Sequence, residues 1–287
     1  MQIVADSGYD LSPQQKAHLT IHTLPLKLTL NDVSYRSGVD IQPEEFYALL
    51  AETENMPVTS TPSQGEFLEI YQQLAEKDEA ILSIHISSGL SGTFGVAQSA
   101  ANQLPDANIT LVDTRSLSAE MGWQIEAAAK GIKAGWTLET ILETMTKVRQ
   151  ATEMVFTLPD LTYLIHGGRI GHLKGLLANL LGIKPLIGVD KADGKYYDRG
   201  KARTFQRAIK AIPDYIASKF GEGTHLRAQI GHAGNPEAAA KLREATEALF
   251  TCDWLPDCSI SPVLGAHTGQ GLVGMVFAPV SSLPATA

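Results

Sequence analysis

The chain has 287 residues, 44% hydrophobic and 19% charged, which suits one large or two modest packed domains. Its formal charge of −8 argues against non-specific nucleic-acid binding, despite local basic spots at Lys201, Arg203 and Arg207. Two cysteines, Cys252 and Cys258, are too few for a disulfide framework and have no His at a zinc-ligand spacing, so no metal site is expected.

The first residues run directly into Asp6 and Ser7 without a basic leader and an apolar stretch, which predicts a cytoplasmic location. Ile3 and Val4 open an apolar strand. Ser12, Pro13 and Gln15 form a helix start, with Ser as N-cap and Pro at the first helical position. Residues 21–30 alternate apolar and polar in strand fashion. Pro43, Glu44 and Glu45 begin a helix that turns Phe46, Leu49 and Leu50 inward. Residues 58–62 read as a hydroxyl-rich loop, and Ser63 with Glu66 as the capping box of a helix through Leu74. An apolar strand at 80–86 leads into the Ser/Gly segment 87–93 and an Ala-rich helix ending near Leu104. A strand at 109–112, the polar loop 113–118, a helix from Ala119 and another over 138–149 complete this half. Strands alternating with helices predict a parallel sheet covered by helices.

The second half differs. Residues 158–165 read as a short helix and 166–171 as a Gly-rich link. An apolar helix at 176–181 and a strand at 184–189 follow, in a greasy region interrupted by Gly182, Lys184 and Pro185 and too short to span a bilayer. Asp193-Gly194 marks a hairpin turn. A helix is expected over 204–220, a strand over 226–230 and a helix from Asn235-Pro236-Glu237 through Phe250; residues 263–275 carry a Gly-rich segment around His267. The boundary is placed within 151–158, giving domains 1–155 and 156–280 and a tail 281–287.

The strongest chemical signal is a set of Ser/Thr/Gly loops, each between a strand and a helix. Helix starts expose unpaired N–H groups and the positive dipole end, which favour an anion. Thr59, Ser60, Ser88 and Ser91 add hydroxyls, and Gly89 and Gly92 allow close backbone approach. Carboxylate and phosphate fit equally well. Such residues are also ordinary caps and turn formers; three such loops in one half shift the balance towards a binding crevice. Gly89-Leu90-Ser91-Gly92 resembles a nucleophile elbow, but Thr93 stands where a second glycine belongs. His85 and His267 are candidate bases that the sequence does not place beside Ser91. Neither a P-loop nor a dinucleotide fingerprint occurs. His267 and Arg169, each set among glycines, are candidate ligand or partner contacts, whereas His18, His22, His225 and His232 read as surface or core fillers.

Several segments, in order along the chain, resemble the DegV family: residues 59–63, 87–94, Asp113-Thr114-Arg115, Gly167-Gly168-Arg169-Ile170, Ile183-Lys184-Pro185-Leu186, 201–204 and 267–271. The resemblance implies a two-domain α/β protein, with an N-terminal parallel sheet and a C-terminal mixed sheet, holding a long-chain, palmitate-like fatty acid between them. It implies that Thr59 and Ser91 bind the carboxylate with Ser60, His267 and Thr268 nearby. It also implies that Arg169 and Arg203 face a partner, a fatty acid kinase that phosphorylates the presented carboxylate. On this reading the protein is not itself an enzyme, has no cofactor besides its lipid, and does not insert stably in membranes. Ala5, Val58, Thr61 and Gln270 depart from the usual residues of the family and leave the two carboxylate hydroxyls intact. The competing readings are a hydrolase or isomerase using the Ser-rich loops, and a regulatory module read by a protein at Arg169.

Overall fold

A computed structural model describes residues 1–77, 79–173 and 182–285. Four strands, β1 (Gln2–Asp6), β2 (Ile21–Leu24), β6 (Ile81–His85) and β7 (Ile109–Asp113), form an all-parallel sheet in the order β2-β1-β6-β7. The alternation of side chains along a strand explains its layering. Ile3, Ala5, Leu82 and Ile84 join the core under α5 (Ser118–Lys133) and α6 (Leu138–Ala151). Val4 and Ile81 face the other way, onto α3 (Gln64–Ala75) and α4 (Thr93–Ala101). Both faces are covered, so β6 is buried at every position. Strand order reverses between β1 and β6, and ligands of open α/β sheets occupy the crevice at the carboxyl ends of such a pair.

Two expectations need correcting here. Residues 21–30 are not one strand: the chain leaves the parallel sheet at Pro25 and reappears as β3 (Lys27–Leu30) in a small antiparallel sheet with β4 (Val33–Arg36). Proline offers no N–H to a ladder, which suits a change of sheet. Residues 58–60 are not a loop but β5 (Val58–Ser60), which pairs with β3 through Leu28 opposite Thr59. That pairing is non-local, and no local pattern announces it. The capping boxes at Ser12/Gln15 and Ser63/Glu66 form as read.

The second sheet is mixed, in the order β10-β9-β8-β14-β11-β12, with β13 (Cys258–Ser259) also on β11. Its strands are β8 (Glu153–Thr157), β9 (Lys184–Val189), β10 (Tyr196–Ala202), β11 (His225–His232), β12 (Thr251–Trp254) and β14 (Val273–Pro279). The helices α8 (Phe205–Phe220) and α9 (Pro236–Glu247), capped by Thr204 and Asn235, pack on one face. The architecture is therefore the expected α/β fold, with a parallel and a mixed sheet. β8 and the fully buried β14 were not anticipated, and the helix read at 158–165 is reduced to α7 (Thr162–His166). The Gly-rich segment around His267 contains a helix, α10 (Pro262–Thr268). The helix expected at 176–181 lies outside the described residues.

Buried polar contacts tie the two sheets' layers together. Trp123 Nε1 on α5 donates to Gln229 Oε1 on β11 at 2.8 Å, and Gln229 Nε2 donates to Gln15 Oε1 at 2.7 Å and to the Pro256 carbonyl at 2.9 Å. The turn between β9 and β10 rests on the loop after β6: Ser87 Oγ donates to the Gly194 carbonyl at 2.7 Å. At Gly89 the backbones are so close that any side chain would run into the Asp193 carbonyl oxygen.

Candidate functional site

Thr59 lies on β5 and His267 in the last turn of α10, and Thr59 Oγ1 is 2.8 Å from His267 Nε2. The imidazole stacks so tightly on Gly167 that a side chain there would strike Nδ1, and Nδ1 itself is buried without a hydrogen-bond partner. Burial, with Arg169 and His166 nearby, pulls the ring down to about 4, so it is neutral at pH 7. A neutral ring carries one proton. On Nδ1 that proton would be a buried donor without an acceptor, which folded proteins avoid more strictly than an unpaired acceptor. The Nε2–H tautomer is therefore favoured, with His267 donating to Thr59 Oγ1. The hydroxyl proton of Thr59 is then directed away from the ring.

This pair borders a cavity of about 280 Å³ whose wall also includes Ser60, Ser91 and Arg169. Ser91 is presented by a tight turn after β6, in which the Leu90 and Ser91 N–H groups both donate to the Ser87 carbonyl at 3.0 Å. Its Oγ lies 2.8 Å from Thr93 Oγ1. Arg169 spans the site, donating to the Gly167 carbonyl at 2.6 Å and the Leu90 carbonyl at 3.3 Å. The remaining wall is mostly apolar, with Leu26, Ile86, Leu117, Leu264 and the ring of Tyr196.

A second, smaller void of about 40 Å³ adjoins it, and Leu117, Tyr196 and Leu264 line both. Its walls contain Met154, Phe156, Met275 and Val276. Of the polar side chains bordering it besides Tyr196, each is already engaged. Ser118 Oγ donates to Asp10 Oδ2 at 2.6 Å, Thr268 Oγ1 to the Leu264 carbonyl at 3.2 Å, and the Gln229 amide to the partners named above. Such a void suits hydrocarbon and offers little to water. The two spaces together pair a polar end, rich in hydroxyls with one cation, with an apolar end.

Four of the expected ligand residues, Thr59, Ser60, Ser91 and His267, converge on the larger cavity. Thr268 borders the inner void instead, its hydroxyl turned back onto its own helix. Arg169, expected to face a partner, lines the cavity, whereas Arg203 is exposed between β10 and α8 and is not among its walls. Ser88 donates to Asp113 Oδ2 at 2.6 Å and lines neither space. His85 is fully buried between Ser83 Oγ at 2.7 Å and Asp6 Oδ2 at 3.0 Å. Ser91 thus has no imidazole partner among the described residues. Tyr196, Leu117 and Leu264 were missed as wall residues, since nothing local distinguishes a cavity-lining apolar side chain from a core one. Cys252 and Cys258 are free thiols, and burial pushes Cys258 well up from the usual thiol range. Among the described residues no cluster of three or more His, Cys, Asp or Glu could hold a metal, and no helix is long and apolar enough to cross a membrane.

Comparison with known proteins joins this geometry to a family. The model of the family described as uncharacterised protein, DegV family, matches residues 1–280. A DegV domain-containing protein of Staphylococcus aureus is 37% identical over 274 residues, covering 96% of this chain and 97% of that one. A counterpart from Deinococcus radiodurans is 32% identical over 277 residues, covering 96% and 95%. Among solved structures, the fatty-acid-binding DegV family protein of Thermus thermophilus superposes with a TM-score of 0.87 at 29% identity, over 97% of this chain and 99% of that one. DegV of Bacillus subtilis, a fatty acid binding protein, gives 0.83 at 27% identity, over 96% and 98%. With family model, relatives and fold in agreement over nearly its whole length, the chain belongs to the DegV family.

Proposed function

We propose that this protein binds one long-chain fatty acid, its carboxylate at the hydroxyl-lined end of the larger cavity and its tail directed past Tyr196 into the inner void. The observation that carries this reading is the adjacency of the two spaces, one lined by Thr59, Ser60, Ser91, His267 and Arg169, the other mostly apolar, with Ser118, Thr268 and Gln229 engaged elsewhere. Hydroxyl donors satisfy a partly buried head group, and Arg169 adds a charge-assisted donor beside them. Each methylene removed from water adds about 0.8 kcal/mol. The fatty acid binding of solved relatives supports the same ligand class. The site lies in the reading between two units that divide near residues 151–158, and the protein works in the cytoplasm. In this reading it acts as a carrier without catalysing a reaction.

The second part of the proposal is presentation of the carboxylate to a fatty acid kinase, with the exposed Arg203 on the docking face. Arg169, tethered beside the proposed carboxylate position, would bridge the lipid and that partner. Native mass spectrometry of the purified protein, followed by identification of any released lipid, tests the first part. One fatty acid per chain is expected, and the double variant Thr59→Ala/Ser91→Ala should lose it. A protein that is empty and ignores added fatty acids would overturn the reading.

A further inference from the structure

We propose that Tyr196 forms the neck between the two spaces and decides how far an acyl chain enters, and so which chain lengths the protein prefers. The inference rests on the fatty acid reading above and adds to it a determinant of specificity. Tyr196 is only 4% exposed, yet it borders both the outer cavity and the inner void, a position shared, among the described residues, with Leu117 and Leu264 alone. A tail leaving the polar end must pass these three side chains to reach the inner void.

The backbone behind the proposed neck is held. Tyr196 is the first residue of β10 and pairs with Val189 across the hairpin. The turn that precedes it is fastened by Ser87 Oγ to the Gly194 carbonyl at 2.7 Å and by Arg115 Nη1 to the Asp193 carbonyl at 3.3 Å. Its ring meets Phe156 edge-on, with centroids 5.6 Å apart and planes at 72°. With the main chain fixed on one side and Phe156 on the other, the aperture depends on the size of the side chain at 196. Beyond it lie Met154 and Met275, unbranched thioethers that re-pack at low cost. The inner void can therefore widen around a tail, while the neck yields far less.

The test is a competition series on the delipidated full-length protein, displacing a fluorescent fatty acid with saturated acids from decanoate to stearate. Tyr196→Trp should weaken palmitate and stearate by about tenfold or more while changing decanoate by less than about threefold. Tyr196→Leu should move the preference towards longer acids. Met154→Phe, which fills the space beyond the neck and leaves Tyr196 in place, should reproduce the loss of long acids, and serves if the Tyr196 variants do not fold. Uniform weakening at every chain length, or an unchanged length profile, in Met154→Phe and the folded Tyr196 variants would overturn the proposal. A wild-type protein that binds none of the acids would instead sink the fatty acid reading itself, and this inference with it.

Discussion

Two hydroxyl–imidazole pairs occur among the described residues, and they differ in what lies beyond the ring. In the core, Tyr71, Ser83, His85 and Asp6 form a chain with links of 2.7, 2.7 and 3.0 Å, and the same aspartate accepts the N–H groups of Gly8 and Ile86 at 2.9 Å. At the cavity, Thr59 meets His267 at 2.8 Å and the array stops there, with Nδ1 unpartnered. The Ser83–His85–Asp6 order looks more like a catalytic triad, yet all three side chains are inaccessible. Their hydrogen-bonding capacity is used up in joining β1 to β6 at the strand ends. The cavity pair leaves the Thr59 hydroxyl proton unused by the ring, and a spare donor beside open space is suited to a ligand. Completion marks scaffold here, and spare donor capacity goes with the proposed site.

The largest expected effect breaks the core array. Asp6→Ala strips three buried donors of their acceptor and should cost about 3–5 kcal/mol in urea unfolding. A loss below about 1 kcal/mol would show that this array is not scaffold. Next comes pH. His267 sits near 4 in the folded protein against an ordinary 6.5, so between these values the unfolded chain binds more protons. Its contribution is fully present above pH 6.5 and is lost as pH falls towards 4, by up to about 3 kcal/mol. Lipid-free protein unfolded in urea at several pH values should show this slope, and His267→Gln should flatten it. An unaltered slope in the variant would assign the acid sensitivity to other groups.

Smaller effects sharpen the comparison from the ligand side. Thr59→Ala should change stability by no more than about 1 kcal/mol but weaken fatty acid binding about tenfold in a displacement titration. Equal losses in stability and binding would erase the distinction between the two arrays. Arg203→Ala should leave both within about 0.5 kcal/mol, since the residue is exposed and outside either array. It should still reduce transfer of phosphate to the bound lipid if a kinase docks there.

Local chemistry made much of this protein legible from its sequence. The Ser12/Gln15 and Ser63/Glu66 capping boxes, the Thr204 and Asn235 caps and the Asp193-Gly194 turn depend on neighbours a few residues apart, and they form as read. The alternation of apolar strands with helices likewise required a covered parallel sheet. Four of the five expected ligand residues share one cavity because the family's motifs survive around them. Pairings across long stretches of chain were not legible: β5 on β3, the exchange of sheets at Pro25, and β8 on β14. Each depends on which distant backbone supplies the missing hydrogen bonds. The same holds for function. Sequence determined that hydroxyls and His267 were available, but only the packing decided that His85 is sealed, that Arg169 faces the cavity and that Tyr196 stands between polar and apolar space. A side chain's accessibility and spare hydrogen-bonding capacity are set by neighbours that the linear order does not reveal.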